Sequence, residues 1–129
     1  MNKFIIQVNG TVYGSTASFR ALRFTESVLS LGHQVTSVFF YQDGVTNSSK
    51  LISPASDEHD LHLAWSRLAT EHNLNLVNCV SAALRRGVLS DQDAKENRKE
   101  TSNASKQFVM GGLGELVTNI EQSDRLICF

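Results

Sequence analysis

Leu74-Asn75-Leu76-Val77-Asn78-Cys79-Val80 runs directly into Ser81-Ala82-Ala83-Leu84-Arg85-Arg86-Gly87. The first segment is short, apolar and strand-like; the second carries the small and long-chain residues of a helix. The pattern predicts a β-strand over Leu74–Cys79 that hands over to a short helix over Ser81–Arg86. In a parallel α/β protein such a junction lies at the carboxyl edge of the sheet, where ligands and chemistry collect. It sets the Cys79 thiol beside the first free N–H groups of a helix, whose partial positive charge favours the reactive thiolate. The small residues at 81–83 leave space for a substrate or partner to approach. Arg85 and Arg86 add positive potential from about 9 Å or more along the helix axis. At that range they steer a partner more than they tune the thiol, or they complement the helix C-terminus.

Working outward, the same alternation of strand and helix continues. Phe4 to Val8 is an apolar run closed by Asn9-Gly10, a first strand. Ser15 to Leu31 places Phe19, Ala21, Leu22, Phe24, Val28 and Leu29 at helical spacing, and Gly32 is a stop signal. Gln34 to Tyr41 is β-branched and aromatic, a second strand. A polar stretch from Gln42 to Ser56 follows, longer than an ordinary connection and so expected to be a functional or interface-forming loop. Ser56 or Asp57 is expected to cap a helix reaching His72, with Leu61, Ala64, Trp65 and Leu68 on one face. Beyond the Cys79 junction, Leu89–Ala104 reads as a solvated helix followed by loop. Phe108-Val109-Met110 is a short strand, Gly111-Gly112 turns into a helix carrying Leu113, Leu116, Val117 and Ile120, and Arg125–Phe129 is the last strand. These strands are near-continuously apolar, as parallel strands covered on both faces must be. The expected fold is a three-layer α/β/α sandwich with a mostly parallel sheet of about five strands, a common size.

The chain has 129 residues, 41% of them hydrophobic, which suits one domain with a real core. Its longest apolar runs are far shorter than a membrane span, and Met1–Ile6 reads as a strand, not a signal peptide. Twelve basic residues against 13 acidic ones give a net charge of −1, which excludes a chain-wide nucleic-acid footprint. Two cysteines and one proline fit a reduced, cytoplasmic protein.

Other candidate chemistry is weaker. Cys128, between Ile127 and Phe129, reads as packing, and no CxxC pair exists to run an internal dithiol cycle. A cysteine without a resolving partner suits sulfur relay, which is thiol–disulfide exchange with a terminal sulfur as cargo. Glu58, His59, Asp60 and His62 resemble a metal cluster but lack a convincing third ligand. Acidic residues at a helix start explain them more simply, so no metal is expected. Gly10-Thr11-Val12-Tyr13-Gly14-Ser15-Thr16 could cradle an anion or flavin phosphate on its N–H groups, yet it has neither a Walker lysine nor GxGxxG spacing. Gly111-Gly112-Leu113-Gly114 reads as a turn into a close-packed helix. No cofactor is expected.

Nearly end to end, the chain resembles the DsrE/DsrF-like family, and within it the cysteine-bearing subunits of TusBCD-type sulfur-relay complexes. The resemblance rests on Val38-Phe39-Phe40-Tyr41, Ser53-Pro54-Ala55-Ser56-Asp57-Glu58, Ala64-Trp65, Cys79 with Ala82-Ala83-Leu84-Arg85-Arg86-Gly87, and Gly112-Leu113-Gly114. It implies a DsrE-like sulfurtransferase domain over residues 1–129 that holds a persulfide on Cys79. It implies assembly with TusB-like and TusC-like chains into a heterohexamer with two copies of each. It further implies a TusA-like sulfur donor and a TusE-like acceptor, with 2-thiolation of a tRNA wobble uridine as the destination. Direct contact with nucleic acid or membrane is not expected. His59 and His62 neither support nor weaken the match. Two other readings remain beside it: a non-catalytic scaffold subunit of a DsrEFH-like hetero-oligomer, and a flavin- or nucleotide-binding module built on the Gly10–Thr16 loop.

Overall fold

The computed structural model describes residues 1–129. In chain order the elements are β1 (Lys3–Val8), α1 (Ala17–Ser30), β2 (Gln34–Phe40), α2 (Leu61–His72), β3 (Leu76–Cys79), α3 (Val80–Arg85), α4 (Asp91–Glu96), β4 (Phe108–Gly111), α5 (Leu113–Glu121) and β5 (Arg125–Cys128). The five strands form one sheet in the order β4-β3-β2-β1-β5, and every neighbouring pair is parallel. The expected α/β architecture is therefore present, with a wholly parallel sheet.

The strand order follows from how each strand is covered. Ile5 and Ile6 are consecutive and fully buried, as are Val38, Phe39 and Phe40. Successive side chains point to opposite faces, so both faces of β1 and β2 lie in the core. Each such side chain contributes about 1.5–3 kcal/mol by leaving water. β1 to β4 step across the sheet in one direction, and right-handed crossovers put α1 and α2 together on one face. The return from β4 to β5, beyond β1, puts α5 on the other. Two contacts mark the faces. Phe40 meets Trp65 of α2 edge-to-face at 5.3 Å, and Ser37, on the opposite side of β2, accepts a hydrogen bond from Asn119 of α5 at 3.1 Å.

Most helix ends are where local chemistry dictates. Gly32 takes a positive φ of 85° and donates its N–H to the Leu29 carbonyl at 3.0 Å, closing α1. At the end of α2, Asn73 adopts the same left-handed region (φ 54°). Ser90 and Asp93 form a reciprocal capping box at the start of α4, the solvated helix expected there.

Three expectations need correction. The Gln42–Ser56 stretch is not loop throughout: Gln42–Ser48 is a 3-10 helix with Gly44, Val45, Asn47 and Ser48 buried. Its polar residues bond internally. Asn47 Nδ2 donates to Ser18 Oγ (2.9 Å) and to the Gly44 carbonyl (2.8 Å), while Trp65 Nε1 donates to Asn47 Oδ1 (3.1 Å). Neither Ser56 nor Asp57 caps α2. Asp60 does, accepting the Leu63 N–H at 3.2 Å, because Glu58 closes a turn of its own onto the Ala55 N–H. β3 begins at Leu76, leaving Leu74 and Asn75 in the connection; the Leu74 N–H is used to close α2 onto the Ala69 carbonyl.

Candidate functional site

Cys79 is the last residue of β3 and the N-cap of α3, with extended backbone (φ −66°, ψ 115°). Strand gives way to helix there as the sequence predicts. Strand alternation sends Leu76 and Asn78 toward α2, and Val77 and Cys79 toward α5. In register across from Cys79 on β4 lies Gly111. A Cβ there would overlap Glu115 Oε2 and press on Val77 Cγ1 at 2.9 Å. The missing side chain thus admits the carboxylate of α5's first turn to the strip beside the cysteine. Nothing in the sequence flags Glu115, because only the β3–β4 register and the fold-over of α5 bring it there.

The thiol itself is enclosed. Cys79 is 4% exposed, and it makes no side-chain cap on α3. Ala82 and Ala83 do not leave open space, as the small residues were expected to. They are buried, and their size lets α3 pack closely on the Gln42–Ser48 helix. The clefts at the amino edge of the sheet, between the β1–α1 loop and the turn before α2, and along α1, α2 and the connection over residues 87–103 are not lined by Cys79. One of them, between Lys3, His33 and His72, opens at the amino edge of the sheet, the opposite end from the cysteine.

The two arginines separate. Arg86 Nε pairs with Asp43 Oδ1 at 2.7 Å, and its Nη1 donates to the Ala82 carbonyl at 3.1 Å. It therefore closes the C-terminus of α3 and ties it to the 3-10 helix, whereas Arg85, also exposed, makes no ion pair. Asn78 supports the junction from the other face, donating to Ser48 Oγ at 2.7 Å, while its Oδ1 is buried without a partner. Cys128 is exposed on β5, an edge strand three positions from β3, which is about 14 Å across the sheet. The two thiols are not brought together.

The remaining candidates part company too. The His59 ring lies 4.7 Å from that of Phe19, and the His62 ring stacks on Phe108 at 6.4 Å. No three His, Cys, Asp or Glu side chains converge on a possible metal position. The Gly10–Thr16 loop is pinned internally: Val12 donates its N–H to Thr46 Oγ1 at 3.2 Å, and Ser18 Oγ donates to the Gly10 carbonyl at 2.7 Å.

Comparison with known proteins bears on what the chain as a whole does. The profile described as the DsrE/DsrF-like family matches residues 2–129. The chain belongs to that family. Similar full-length DsrE/DsrF-like relatives include the sulfurtransferase TusD homolog of Vibrio parahaemolyticus, 45% identical, with 98% of this chain and 96% of the relative covered. The sulfurtransferase TusD of Proteus mirabilis is 43% identical, with 98% and 97% covered. The putative sulfurtransferase DsrE of Allochromatium vinosum is 40% identical, with 98% of each chain covered. At such identity over nearly the whole of both chains, this member is a sulfurtransferase of the sulfur-relay type. The ychN protein of E. coli shares the fold with a TM-score of 0.80 at 21% identity, each chain covered completely.

Proposed function

We propose that Cys79 is the sulfur carrier of a relay sulfurtransferase whose single domain spans residues 1–129. The supporting observation is its address: the one cysteine at the strand-to-helix junction of the carboxyl edge, in a chain that the family profile matches over residues 2–129. The Cys79 thiolate attacks the outer sulfur of a donor persulfide. A bond forms between Cys79 Sγ and that sulfur, the donor's S–S bond breaks, and its electron pair leaves on the donor thiolate. An acceptor thiolate then takes the outer sulfur in the same way and frees Cys79. Because Cys128 lies strands away, donor and acceptor are other proteins. In this reading they are TusA-like and TusE-like carriers, the chain assembles with TusB-like and TusC-like subunits in a cytoplasmic heterohexamer, and the sulfur ends on a tRNA wobble uridine. No helix is long and apolar enough to cross a membrane.

Burial of the thiol favours a second reading, a scaffold subunit whose cysteine is incidental. Sulfur loading separates the two. After incubation with glutathione persulfide, mass spectrometry of the Cys128→Ser protein is expected to find one labile sulfur on the Cys79 peptide. The Cys79→Ser/Cys128→Ser protein, folded by circular dichroism, is expected to carry none. Sulfur retained on the double variant, or absent from Cys128→Ser, overturns the assignment.

A further inference from the structure

Two segments that the sulfur chemistry leaves unused meet at the same carboxyl edge. The β1–α1 loop and the turn before α2 enclose a cavity of about 260 Å³ lined by Val12, Tyr13, Phe19, Glu58, His59 and Leu61. Its walls are aliphatic and aromatic, with the Phe19 and His59 rings 4.7 Å apart and Tyr13 48% exposed at the mouth. A single carboxylate faces it, and that carboxylate is held in place. The Ala55 N–H at 2.8 Å and the Tyr13 hydroxyl at 3.3 Å both donate to Glu58 Oε1. Oε2 is left without a protein partner. No cation neutralises this turn either, since the chain's one ion pair is Arg86 with Asp43. Asp57 and Asp60 add to the negative field.

An aromatic and aliphatic box with one fixed, unneutralised carboxylate selects a cation on a greasy stem. A planar guanidinium meets all three demands. It stacks on an aromatic face, lays its methylenes along Val12 and Leu61, and gives two N–H groups to a carboxylate. The cavity is smaller than the roughly 300–1,000 Å³ of ordinary small-molecule sites, so it suits one side chain. β1 and β3 flank β2, so the strand that leads into the cavity and the strand that ends in the cysteine lie about 10 Å apart along the carboxyl edge, with the cavity on the α1/α2 face and the thiol turned toward α5. That span lies well inside one standard protein interface of about 800 Å² per partner.

We propose that this cavity is the docking socket for an arginine side chain of the protein that exchanges sulfur with Cys79. The proposal rests on the sulfur-carrier reading of Cys79. The burial and Glu58 charge that hold the Tyr13 phenol above its usual pKa keep it protonated and donating.

The test uses the full chain and two probes, N-acetyl-arginine amide and its neutral isostere N-acetyl-citrulline amide. In amide-resolved NMR titrations the arginine probe is expected to shift Val12, Tyr13 and Glu58–Leu61 saturably, and the citrulline probe is expected not to. Glu58→Gln, which keeps the acceptor for Ala55 but removes the charge, is expected to weaken the arginine probe about tenfold. Tyr13→Phe is expected to weaken it less. Glu58→Gln is also expected to lower, about tenfold, the ratio of Cys79 loading rate from a persulfide-bearing donor protein to that from glutathione persulfide. Equal shifts with both probes, or a Glu58→Gln titration matching wild type, overturn the socket. An unchanged loading ratio overturns its link to sulfur exchange. Failure of glutathione persulfide to load Cys79 at all would sink the carrier reading instead, and the probe titration would still report on the cavity.

Discussion

His62 shows how one side chain carries a pH dependence into the fold. Its Nε2 is buried with no partner, beneath the Phe108 ring. Burial is the largest influence and lowers the imidazole pKa, Asp60 pulls it upward, and Lys50 adds to the lowering. The unfolded chain therefore binds the proton more readily than the folded one between the depressed value and the ordinary value of about 6.5. Stability then rises with pH through that window and falls as pH drops through it. Urea unfolding of wild type and His62→Leu from pH 7.5 to 5 is expected to show a steeper loss on acidification in wild type; parallel curves would refute the assignment. The sequence presented His62 only as one of two histidines three apart. Its orphaned nitrogen is a product of the β4 ring that closes over it.

At the scale of elements, the 3-10 helix Gln42–Ser48 is the part that sequence reading misjudged most, and its residues explain why. Asn47 and Ser48 look like loop polarity because each is polar, yet each is buried and hydrogen-bonded inside the protein, while Asp43 stays at the surface and pairs with Arg86. Gly44 is needed because a Cβ there would overlap the Val8 carbonyl. Asn47 joins this helix to α1 and α2 through Ser18 and Trp65. Asn47→Ala would strand the buried Trp65 N–H, at a cost of about 1–3 kcal/mol. The expected outcome is a lower urea midpoint with the slope unchanged; a midpoint equal to wild type would show that the network contributes nothing. The Arg86–Asp43 pair, with side chains 32% and 62% exposed, is a weaker tie, since partly exposed pairs contribute at most about 1 kcal/mol. Helix ends set by local bonds were more legible. Gly32 was readable as a stop, whereas the start of α2 slipped to Asp60 because Ser56, Asp57 and Asp60 are all competent caps. Only the turn made by Glu58 chooses between them.

At the scale of the molecule, the unequal cover of the sheet matters most. α1 and α2 share one face, while α5 alone crosses the other. Leu113 and Val117 stand on its outer side, 47% and 54% exposed, and Val109 and Leu126 on the two edge strands are also exposed. Exposed apolar side chains gathered on one thinly covered face suit association. In the proposed assembly this face meets the TusB-like or TusC-like chain. Val117→Glu is expected to leave the melting temperature within a degree or two of wild type and to abolish co-purification with the co-expressed subunits. Intact complex with this variant would move the interface elsewhere.

The sequence by itself determined the alternation of five strands with helices, the strand-to-helix handover at Cys79 and the absence of an internal dithiol. Those features depend on residues close along the chain: apolar runs, periodic stripes and the lack of a CxxC pair. Tertiary structure alone decided that β5 pairs with β1 and so leaves one face thinly covered. It also decided that the Cys79 thiol is enclosed with Glu115 nearby, that Arg86 faces Asp43, and that Tyr13 meets Glu58 to shape a cavity. The pairings behind them, Cys79 with Gly111, Arg86 with Asp43, Tyr13 with Glu58 and β1 with β5, join residues from 32 to 121 positions apart in sequence. Each arises from strand order and crossover handedness, which no local pattern encodes.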